Sequence, residues 1–291
     1  MKSPIRYAGG KTRAIKHIEP FIKTDKLVSP FIGGASLEIH LANKGVEVIG
    51  YDIFDILVNY WQIQLTQPHE LYEFLKDIKP TKESYIRVKN ILKRWDKSQN
   101  LFSLLETDYY KEEPINLTNI EGAAYYWFNH NLSYGPMYMG WPSNVYLNED
   151  RYKRMIEKVR DFKCQNLNIN VGSFEDVISN HKTQFMYLDP PYYLNKDDND
   201  NRMFKGLYPN ANFSIHHTKF NHELLRDLLH SHNGKFVLSY NNCETIRNWY
   251  KDYDFYYPKW AYSYGSGETR IGKNKIDNTP KESHEILIIK K

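Results

Sequence analysis

The sequence has very little cysteine and no long apolar run. Among its 291 residues the only cysteines are Cys164 and Cys243, which form no Cys-x-x-Cys motif. This pattern excludes a disulfide scaffold and a cysteine-based zinc site, and the sequence offers no other metal cluster. No stretch is apolar enough to span a bilayer, and the first residues contain no apolar signal segment. We therefore expect a soluble cytoplasmic protein with no membrane partner and no metal.

The sequence also has only a small excess of positive charge. The formal net charge is +4, from 39 Lys and Arg against 35 Asp and Glu. Nucleic acid is therefore permitted as a partner but is not required by charge. Aromatic residues are abundant, with 24 tyrosines and 6 tryptophans, and such rings beside cationic side chains suit base stacking. An AT-rich genome would also enrich tyrosine and lysine, so composition leaves both explanations open.

The N-terminal glycine motif lacks one glycine of a phosphate-binding loop. That loop needs a glycine five residues before its Gly-Lys pair, and the position before Gly10-Lys11-Thr12 holds Ile5. We therefore exclude a nucleoside triphosphatase. Tyr7-Ala-Gly9-Gly10-Lys11 instead offers a flexible glycine pair that lets backbone approach a ligand, flanked by an aromatic ring and a cation. A short amphipathic helix is predicted over Arg13–Ile22.

A βαβ unit is predicted next. Strand Leu27–Ile32 leads into the turn Gly33-Gly34, a helix covers Ala35–Asn43, and a second strand, Val46–Tyr51, ends at Asp52. An acid at a strand end, about twenty residues after a glycine turn, is placed to accept hydrogen bonds from ribose hydroxyls.

Two glycines of the dinucleotide-binding fingerprint are missing from this unit. Phe31 and Ser36 stand at their positions. A ligand without a pyrophosphate does not need those glycines. S-adenosylmethionine has an adenosine and a sulfonium but no phosphate, so the turn suits it. An ordinary tight βα turn is the alternative.

The region from Phe54 to about Asn170 does not alternate strand with helix. Thr118 and Glu121 fit a capping box at a helix start. Apolar spacing predicts helices over Leu57–Leu65, Pro68–Ile78, Glu83–Arg94, a stretch through Ala123–Asn129, and Glu149–Phe162. The stretch His130–Asn144 is rich in Gly, Pro and aromatics, which is typical of an exposed functional loop. We predict an inserted helical subdomain at 55–165 within a core domain formed by 1–54 and 166–291. Helical packing without any binding role is the alternative.

An acid followed by two prolines ends a buried strand in the second half of the chain. Phe185–Leu188 is apolar and aromatic, and Asp189-Pro190-Pro191-Tyr192 follows it directly. Prolines cannot continue a central strand. Ligands of open α/β sheets bind beyond the carboxyl ends of strands. The pattern therefore predicts a site, with a simple turn as the alternative.

The remaining elements complete an α/β, Rossmann-like sheet. Strands are predicted at Leu167–Val171, Lys235–Tyr240, Asp254–Tyr262 and His284–Lys290, and helices just after Gly172, at His217–Ser231 and up to Tyr250, the last capped by Asn241 or Asn242. Asn195–Phe213 is polar and is expected to be a mobile lid or loop. The basic, glycine-rich loop Tyr264–Lys275 suits phosphates, with solvated surface as the alternative.

The ordered combination of three motifs resembles the Dam and DpnII type of DNA adenine-N6 methyltransferases, the alpha group. The motifs are Tyr7–Lys11, Pro30–Gly34 with Asp52, and Asp189–Tyr192. The resemblance covers nearly the whole chain. It implies a Rossmann-like, S-adenosylmethionine-dependent catalytic domain with an inserted helical target-recognition domain.

The resemblance also implies the reaction and its setting. Such an enzyme transfers a methyl group from S-adenosyl-L-methionine to the exocyclic amine of an adenine flipped out of duplex DNA, which leaves S-adenosyl-L-homocysteine. It implies a bacterial or phage-infected bacterial cytoplasm, a monomer or weak dimer, and a cognate restriction endonuclease as a further candidate partner.

By the same resemblance, residues receive roles at this sequence's own positions. Catalysis is assigned to Asp189, Pro190, Pro191 and Tyr192. Cofactor binding is assigned to Tyr7, Gly9, Gly10, Lys11, Pro30, Phe31, Gly33, Gly34, Ala35, Ser36, Asp52, Ile53, Ser173, Phe174 and Asp189. DNA binding is assigned to Asn129, Asn131, Ser133, Tyr134, Tyr138, Asn144, Arg270 and Lys273.

Four positions depart from the family's pattern. Ser29 replaces a Glu before Pro-Phe, and Ala35 replaces the third glycine of the turn. Ser173 replaces an acid, so reading of the cofactor adenine passes to Glu175, Asp176 or backbone. An arginine of Dam-like members is replaced near Tyr138, so the resemblance does not extend to the target sequence.

Other functions stay open at this point. A methyltransferase acting on RNA or on a protein glutamine amide would face the same planar amine. A catalytically inactive DNA-binding relative is a second alternative, although Asp52 and the intact Asp-Pro-Pro-Tyr motif speak against it. A nucleobase deaminase is excluded, because its Pro-Cys-x-x-Cys motif is absent.

Overall fold

The computed structural model describes residues 2–98, 115–193, 220–258 and 285–291. Its internal contacts divide the chain into two compact units. The sheet unit contains Lys2, Gly9–Ile53 and Gln165–Lys291, and the helical unit contains Ser3–Ala8 and Phe54–Cys164. Among the helices in the described ranges, none is both long and apolar enough to cross a membrane.

Seven strands form one sheet in the sheet unit. They are β1 Lys26–Ser29, β2 Glu47–Asp52, β3 Leu167–Val171, β4 Phe185–Leu188, β5 Phe236–Asn241, β6 Asp254–Tyr256 and β7 Glu285–Lys290. Their order is β3-β2-β1-β4-β5-β7-β6. Strands β1 to β5 are parallel, and β7 runs antiparallel to both β5 and β6. The chain leaves β1 toward β2 on one side and later returns to β4 on the other, which creates the switch point where α/β sheets bind ligands.

The described α-helices number ten. They are α1 Ile15–Ile18, α2 Ser36–Ala42, α3 Asp55–Thr66, α4 Pro68–Lys76, α5 Lys82–Ser98, α6 Asn119–Asn131, α7 Glu149–Arg160, α8 Phe174–Asn180, α9 His222–Ser231 and α10 Glu244–Trp249. Two short 3-10 helices, Lys11–Arg13 and Glu19–Phe21, flank α1. Helices α3 to α7 belong to the helical unit, and the others belong to the sheet unit.

The core of the sheet unit lies along β4, β5 and β7. Every residue of β5 is buried, and so are the first five residues of β7. Strands buried on both faces read as continuous apolar runs rather than as an alternation. Leu287 and Ile288 on β7 follow this rule, whereas Glu285 at its start is a charged exception with no exposed surface.

The helical unit is built around the aromatic helix α6. Trp127 on α6 and Trp61 on α3 are fully buried. The predicted capping box is confirmed, because Thr118 accepts from the backbone of Glu121 and the Glu121 side chain accepts from Thr118. The segment Ser3–Ala8 joins this unit, since the Trp127 indole N–H donates to the Pro4 carbonyl at 3.2 Å.

Three predicted elements differ from the structure. The helix expected over Arg13–Ile22 is reduced to α1 followed by a 3-10 turn, since Pro20 supplies no backbone donor to continue it. Neither Asn241 nor Asn242 caps α10, whose N-cap is Cys243 with no side-chain hydrogen bond. Strand β6 ends at Tyr256.

Several predicted segments lie outside the described residues. They are the lid at 195–213, the start of the helix predicted at 217–231, the end of the strand predicted at 254–262, and the basic loop at 264–275.

Candidate active site

The candidate site lies at the carboxyl edge of the parallel strands. Since β1 to β5 are parallel, the segments that follow them meet at one edge of the sheet. Strand β7 is antiparallel, so its first residue, Glu285, reaches the same edge and pairs with Asn241 at the end of β5. This edge therefore collects side chains from six strands, as expected for a ligand crevice.

The turn after β1 is tied to the end of β2. The backbone N–H of Gly33 donates to Oδ2 of Asp52 at 3.1 Å, and the N–H of Ile32 donates to the Tyr51 carbonyl at 2.8 Å. Gly33 has a φ of 44°, a region that favours glycine. Asp52, the acid predicted to bind ribose, thus also fixes the turn at Gly33. Ile53, which follows Asp52 in the chain, is 56% exposed.

Ala35 adopts a backbone conformation that would normally call for glycine. Its φ and ψ are 51° and 28°, in the left-handed region, and it is the N-cap of α2. For a residue with a Cβ this conformation costs roughly 1–2 kcal/mol. The position is the one where the related family has its third glycine, so the turn keeps that geometry although the residue has changed.

Three phenylalanines form an aromatic cluster at this edge. Phe31 and Phe174 are stacked with ring centroids 5.8 Å apart, and Phe220 lies 5.0 Å from Phe174. Ser173 is the N-cap of α8 and accepts from the N–H of Asp176 at 3.2 Å. Phe31 and Phe174 were predicted from the motifs, whereas Phe220 was missed because no local pattern marks it.

The acid of the Asp-Pro-Pro-Tyr turn is paired with the lysine of the N-terminal motif. Nζ of Lys11 lies 2.8 Å from Oδ1 of Asp189 and donates to the hydroxyl of Tyr192 at 2.9 Å. The same ammonium is 3.6 Å from Oε1 of Glu285, and the Tyr192 hydroxyl donates to that carboxylate. We call these four residues the acid–lysine cluster.

Burial and charge within the acid–lysine cluster shift its pKa values. Burial raises the pKa of Glu285 to about 7, against the opposing effect of Lys11. Burial likewise raises the pKa of Asp189, which Lys11 partly offsets. For Lys11, burial favours the neutral form, but the two carboxylates outweigh it and raise the pKa. The ammonium is therefore charged at every physiological pH.

A further buried acid, Glu38 on α2, lies near this cluster. It accepts a hydrogen bond from the Ser29 hydroxyl at 2.8 Å. Burial raises its pKa to about 7, against the Ser29 hydrogen bond, while Asp189 adds repulsion and Lys11 attraction. Ser29 stands where the related family usually has Glu, and in this chain an acid from the following helix bonds the Ser29 side chain.

The backbone beyond the two prolines is held by Asn241. Its side-chain oxygen accepts from the N–H of Tyr193 at 2.9 Å, and its amide donates to the carbonyl of Tyr193 at 2.8 Å. Pro190 and Tyr192 are buried, and Pro191 is half-buried. The turn is therefore held on its C-terminal side, and Asn241 bonds Tyr193 instead of acting as the predicted cap of α10.

The remaining N-terminal motif residues divide between the two units. Gly9 has a φ of 75°, and a Cβ there would meet nothing within 4 Å. Thr12 donates to the Ser36 hydroxyl at 3.1 Å within the sheet unit. Tyr7 belongs to the helical unit and stacks on His130 with centroids 5.6 Å apart.

The first residues assigned to DNA binding are buried inside the helical unit. Asn129, Asn131 and Ser133 have no exposed surface. Asn129 accepts from the N–H of Met139, and Asn131 accepts from the N–H of Arg6, both at 2.7 Å. Their side chains shape the segment after α6, and a direct contact with DNA stays a prediction.

The outer part of the same segment presents aromatic side chains. Tyr134 and Trp141 are 73% and 72% exposed, and Asn144 is also exposed. Tyr138, in contrast, is buried against Phe54 with ring centroids 5.3 Å apart. The aromatic content of the segment predicts exposed rings. Trp141 is one of them, although no role was predicted for it from the sequence. Arg270 and Lys273 lie outside the described residues.

Four residues of the site were missed by sequence reasoning: Glu38, Phe220, Asn241 and Glu285. A signal existed for Glu285, since a charged residue opens an otherwise apolar strand. The other three carry no local signal, because their importance depends on partners far along the chain.

Comparisons with known proteins agree with this geometry. The family model described as D12 class N6 adenine-specific DNA methyltransferase matches residues 7–264. The type II methyltransferase M.CviBI of Paramecium bursaria Chlorella virus NC1A is 25% identical over 199 residues, which is 66% of this chain and 69% of the relative. The family's activity requires a methyl donor and DNA as substrate. The chain belongs to the D12 class of N6 adenine-specific DNA methyltransferases.

Proposed function

We propose that the methyl group comes from S-adenosyl-L-methionine and that the acceptor is an adenine flipped out of duplex DNA. S-adenosyl-L-homocysteine is then the second product. The observation that carries this proposal is the meeting, at one sheet edge, of Asp52, the aromatic cluster and the Asp189 turn. Asp52 suits the ribose, the aromatic cluster suits the adenine of the cofactor, and the Asp189 turn suits the planar amine of the target base.

The residues of the edge fit S-adenosylmethionine by their chemistry. The Asp52 carboxylate suits the ribose hydroxyls, and the half-buried ring of Phe31 suits a cation or an aromatic base. The exposed Ile53 offers apolar surface to an adenine. When bound, this cofactor supplies an electrophilic methyl group on a positively charged sulfur.

Asp189 is the residue proposed to act on the target amine. The lone pair of adenine N6 is delocalised into the ring, which makes the nitrogen a poor nucleophile. Asp189 and the Pro190 carbonyl can accept its two N–H bonds and stabilise the positive charge that develops. The rigid turn holds both acceptors before the base arrives. Because burial raises the pKa of Asp189, its carboxylate can also hold the proton that the nitrogen gives up.

Base flipping requires binding energy from the protein. Removing an adenine from the duplex costs a few kcal/mol, and stacking on an aromatic ring returns roughly 1–3 kcal/mol. Tyr192 is proposed as that ring. Since it is only 4% exposed, its neighbours must move aside before a base can reach its face.

The helical unit is proposed to recognise the DNA target. Its segment after α6 exposes Tyr134, Trp141 and Asn144, and these side chains suit contacts with bases and phosphates. Arg270 and Lys273 are proposed to contact phosphates. We further propose a monomer or weak dimer in the cytoplasm, and a cognate restriction endonuclease, as the type II relative's name suggests for that protein.

Transfer of a labelled methyl group tests the proposal. Wild-type protein with labelled S-adenosylmethionine is expected to label duplex DNA at adenine N6 and to leave RNA and a glutamine peptide unlabelled. Asp189→Ala should label nothing while its circular dichroism and DNA affinity stay unchanged. Asp25→Ala is the control, since Asp25 is exposed before β1, at the opposite end of that strand. A folded Asp189→Ala protein with full activity would overturn the assignment, and label on RNA or peptide would redirect it.

A further inference from the structure

Glu285 is a buried acid at the edge of the candidate site. It opens β7, whose following residues are apolar, and it has no exposed surface. A carboxylate is rarely found fully buried unless it is paired or hydrogen-bonded. Its partners among the described residues are therefore informative, and they include two residues of the motifs described above, Lys11 and Tyr192.

Glu285 acts on both of these partners at once. The Tyr192 hydroxyl donates to Oε1 of Glu285, and Nζ of Lys11 lies 3.6 Å from the same oxygen. Tyr192 and Lys11 are also bonded to each other at 2.9 Å. The three groups form a triangle, so displacement of Glu285 would remove one restraint from the tyrosine and one from the lysine.

Lys11 connects Glu285 to Asp189, because its ammonium contacts both carboxylates. An ammonium has three N–H donors. The acceptors around Nζ of Lys11 include Asp189 at 2.8 Å, Tyr192 at 2.9 Å and the Gly9 carbonyl at 3.4 Å, with Glu285 at 3.6 Å. These contacts together restrain the position of Nζ. Oδ1 of Asp189 is thereby occupied, while Oδ2 accepts no hydrogen bond from the described residues.

We propose that Glu285 is a positioning residue for methyl transfer: through Lys11 and Tyr192 it fixes the Asp189 carboxylate so that Oδ2 receives the target amine. This inference rests on the function proposed above for Asp189. Glu285 itself does not touch the substrate. Its contribution is to keep the acceptor in place before the base arrives, which is worth most in the transition state.

The restraint depends on the charge of Glu285. Burial raises its pKa to about 7. Within the described part of the chain, the ionisable groups that face it are Lys11, Asp189 and Tyr192, and its neighbour on β5 is the uncharged Asn241. Protonation removes the attraction to Lys11, so kcat should fall as pH drops through about 7. We assign this fall in kcat to Glu285, so it should disappear when the carboxyl of Glu285 is replaced by an amide. An unchanged fall in that variant would assign it to Asp189 or Glu38, whose pKa values burial also raises, and would count against the inference.

The variant Glu285→Gln tests the inference, because the amide keeps the size and an acceptor for Tyr192. We expect kcat to fall about tenfold at pH 8, as for loss of one charged hydrogen-bond partner. The KM for S-adenosylmethionine and its Kd by calorimetry should change less than about twofold. The fall in kcat as pH drops through about 7 should be absent in this variant. Unchanged kcat with an unchanged pH profile would overturn the inference.

A matched control and a second variant separate positioning from folding. Glu47→Gln is the control, since Glu47 also pairs with a lysine from a strand but is 59% exposed. Tyr192→Phe removes the hydroxyl between Glu285 and Lys11, and its loss in kcat should not add to that of Glu285→Gln. Additive losses would overturn the inference. If Glu285→Gln does not fold, the test rests on Tyr192→Phe alone. A Tyr192→Phe protein with the kcat of the wild type and the same fall in kcat below about pH 7 would then overturn the inference.

The activity of the wild-type protein distinguishes failure of the function proposed for Asp189 from failure of the positioning role of Glu285. If wild-type protein transfers no methyl group to DNA, the proposed function of Asp189 fails. If it transfers methyl groups and Glu285→Gln does so equally well with the same pH profile, only the positioning role fails.

Discussion

Lys11 of the N-terminal glycine motif forms an ion pair with Asp189 of the proline turn. Their charged atoms are 2.8 Å apart, and Lys11 is only 5% exposed. Two motifs that were recognised separately in the sequence therefore meet in one contact. The contact also brings in the buried Glu285, so that one cation pairs with two carboxylates, of which Asp189 is 22% exposed.

Replacing Lys11 by methionine should destabilise the protein in a pH-dependent way. The buried Glu285 and the partly exposed Asp189 would lose their shared cation. Breaking a fully buried pair costs about 3–5 kcal/mol, which is the upper limit for this change. The loss should be larger at pH 8 than at pH 5.5, because Asp189 and Glu285 can take up protons at the lower pH. Denaturant unfolding at both pH values measures this. Lys26→Met, which breaks an exposed pair with Glu47, should cost less than about 1 kcal/mol. Equal losses at the two pH values would contradict the prediction.

Asp52→Asn should weaken cofactor binding and leave DNA binding unchanged. The amide can still accept from Gly33, whose N–H is 3.1 Å from Oδ2 in the wild type, so the turn should be retained. It offers ribose hydroxyls no charged acceptor, and affinity should drop about tenfold or more. Calorimetry with S-adenosylhomocysteine and anisotropy with labelled duplex measure the two affinities. Asp25→Asn, exposed before β1, serves as control. An unchanged cofactor affinity would argue against ribose binding by Asp52.

Glu38→Gln should stabilise the protein at pH 8 and have no effect at pH 5. Burial raises the pKa of Glu38 from 4.5 to about 7. Such a raised pKa means that the folded state binds the proton more tightly than the unfolded state, so stability falls as pH rises from about 4.5 to 7. Above that window the cost is on the order of 3 kcal/mol, and the neutral amide avoids it. Unfolding curves at the two pH values test this. Lower stability of the variant at pH 8 would show that the ionised acid is needed.

Trp141→Ala should weaken DNA binding without changing the fold. The indole is 72% exposed, and Nζ of Lys89 lies 5.4 Å from the centre of its ring. Stacking of one base on such a ring is worth about 1–3 kcal/mol, which predicts at least about a tenfold increase in the Kd for duplex DNA. The melting temperature and the cofactor affinity should match those of the wild type. Val145→Ala, 57% exposed, is the control. Equal effects of the two variants would contradict a specific role for Trp141.

Much of the sheet could be predicted from local pattern. Strand β3 has the predicted bounds Leu167–Val171, and the capping box at Thr118 occurs as expected. These features depend on residues that are close in sequence: an apolar strand with a turn behind it, or two side chains one helical turn apart.

The parts that were not predicted depend on distant partners. Asn241 has the intrinsic preference of a helix cap, but its side chain bonds Tyr193 instead. Lys11 was recognised only as part of a glycine motif, because the sequence separates it from Tyr192 by 181 residues. Pairings of this kind follow from the sheet order, which no local pattern encodes.

The placement of β7 has a consequence for how the molecule assembles. This strand lies between β5 and β6 and pairs with both. Until it inserts, β5 and β6 each present an unpaired edge, which is a template for association with other chains. Glu285 arrives with the same strand, so sealing of the sheet and completion of the acid–lysine cluster are one event. A molecule in which β7 detaches would therefore lose Glu285 from the acid–lysine cluster and expose unpaired strand edges at the same time.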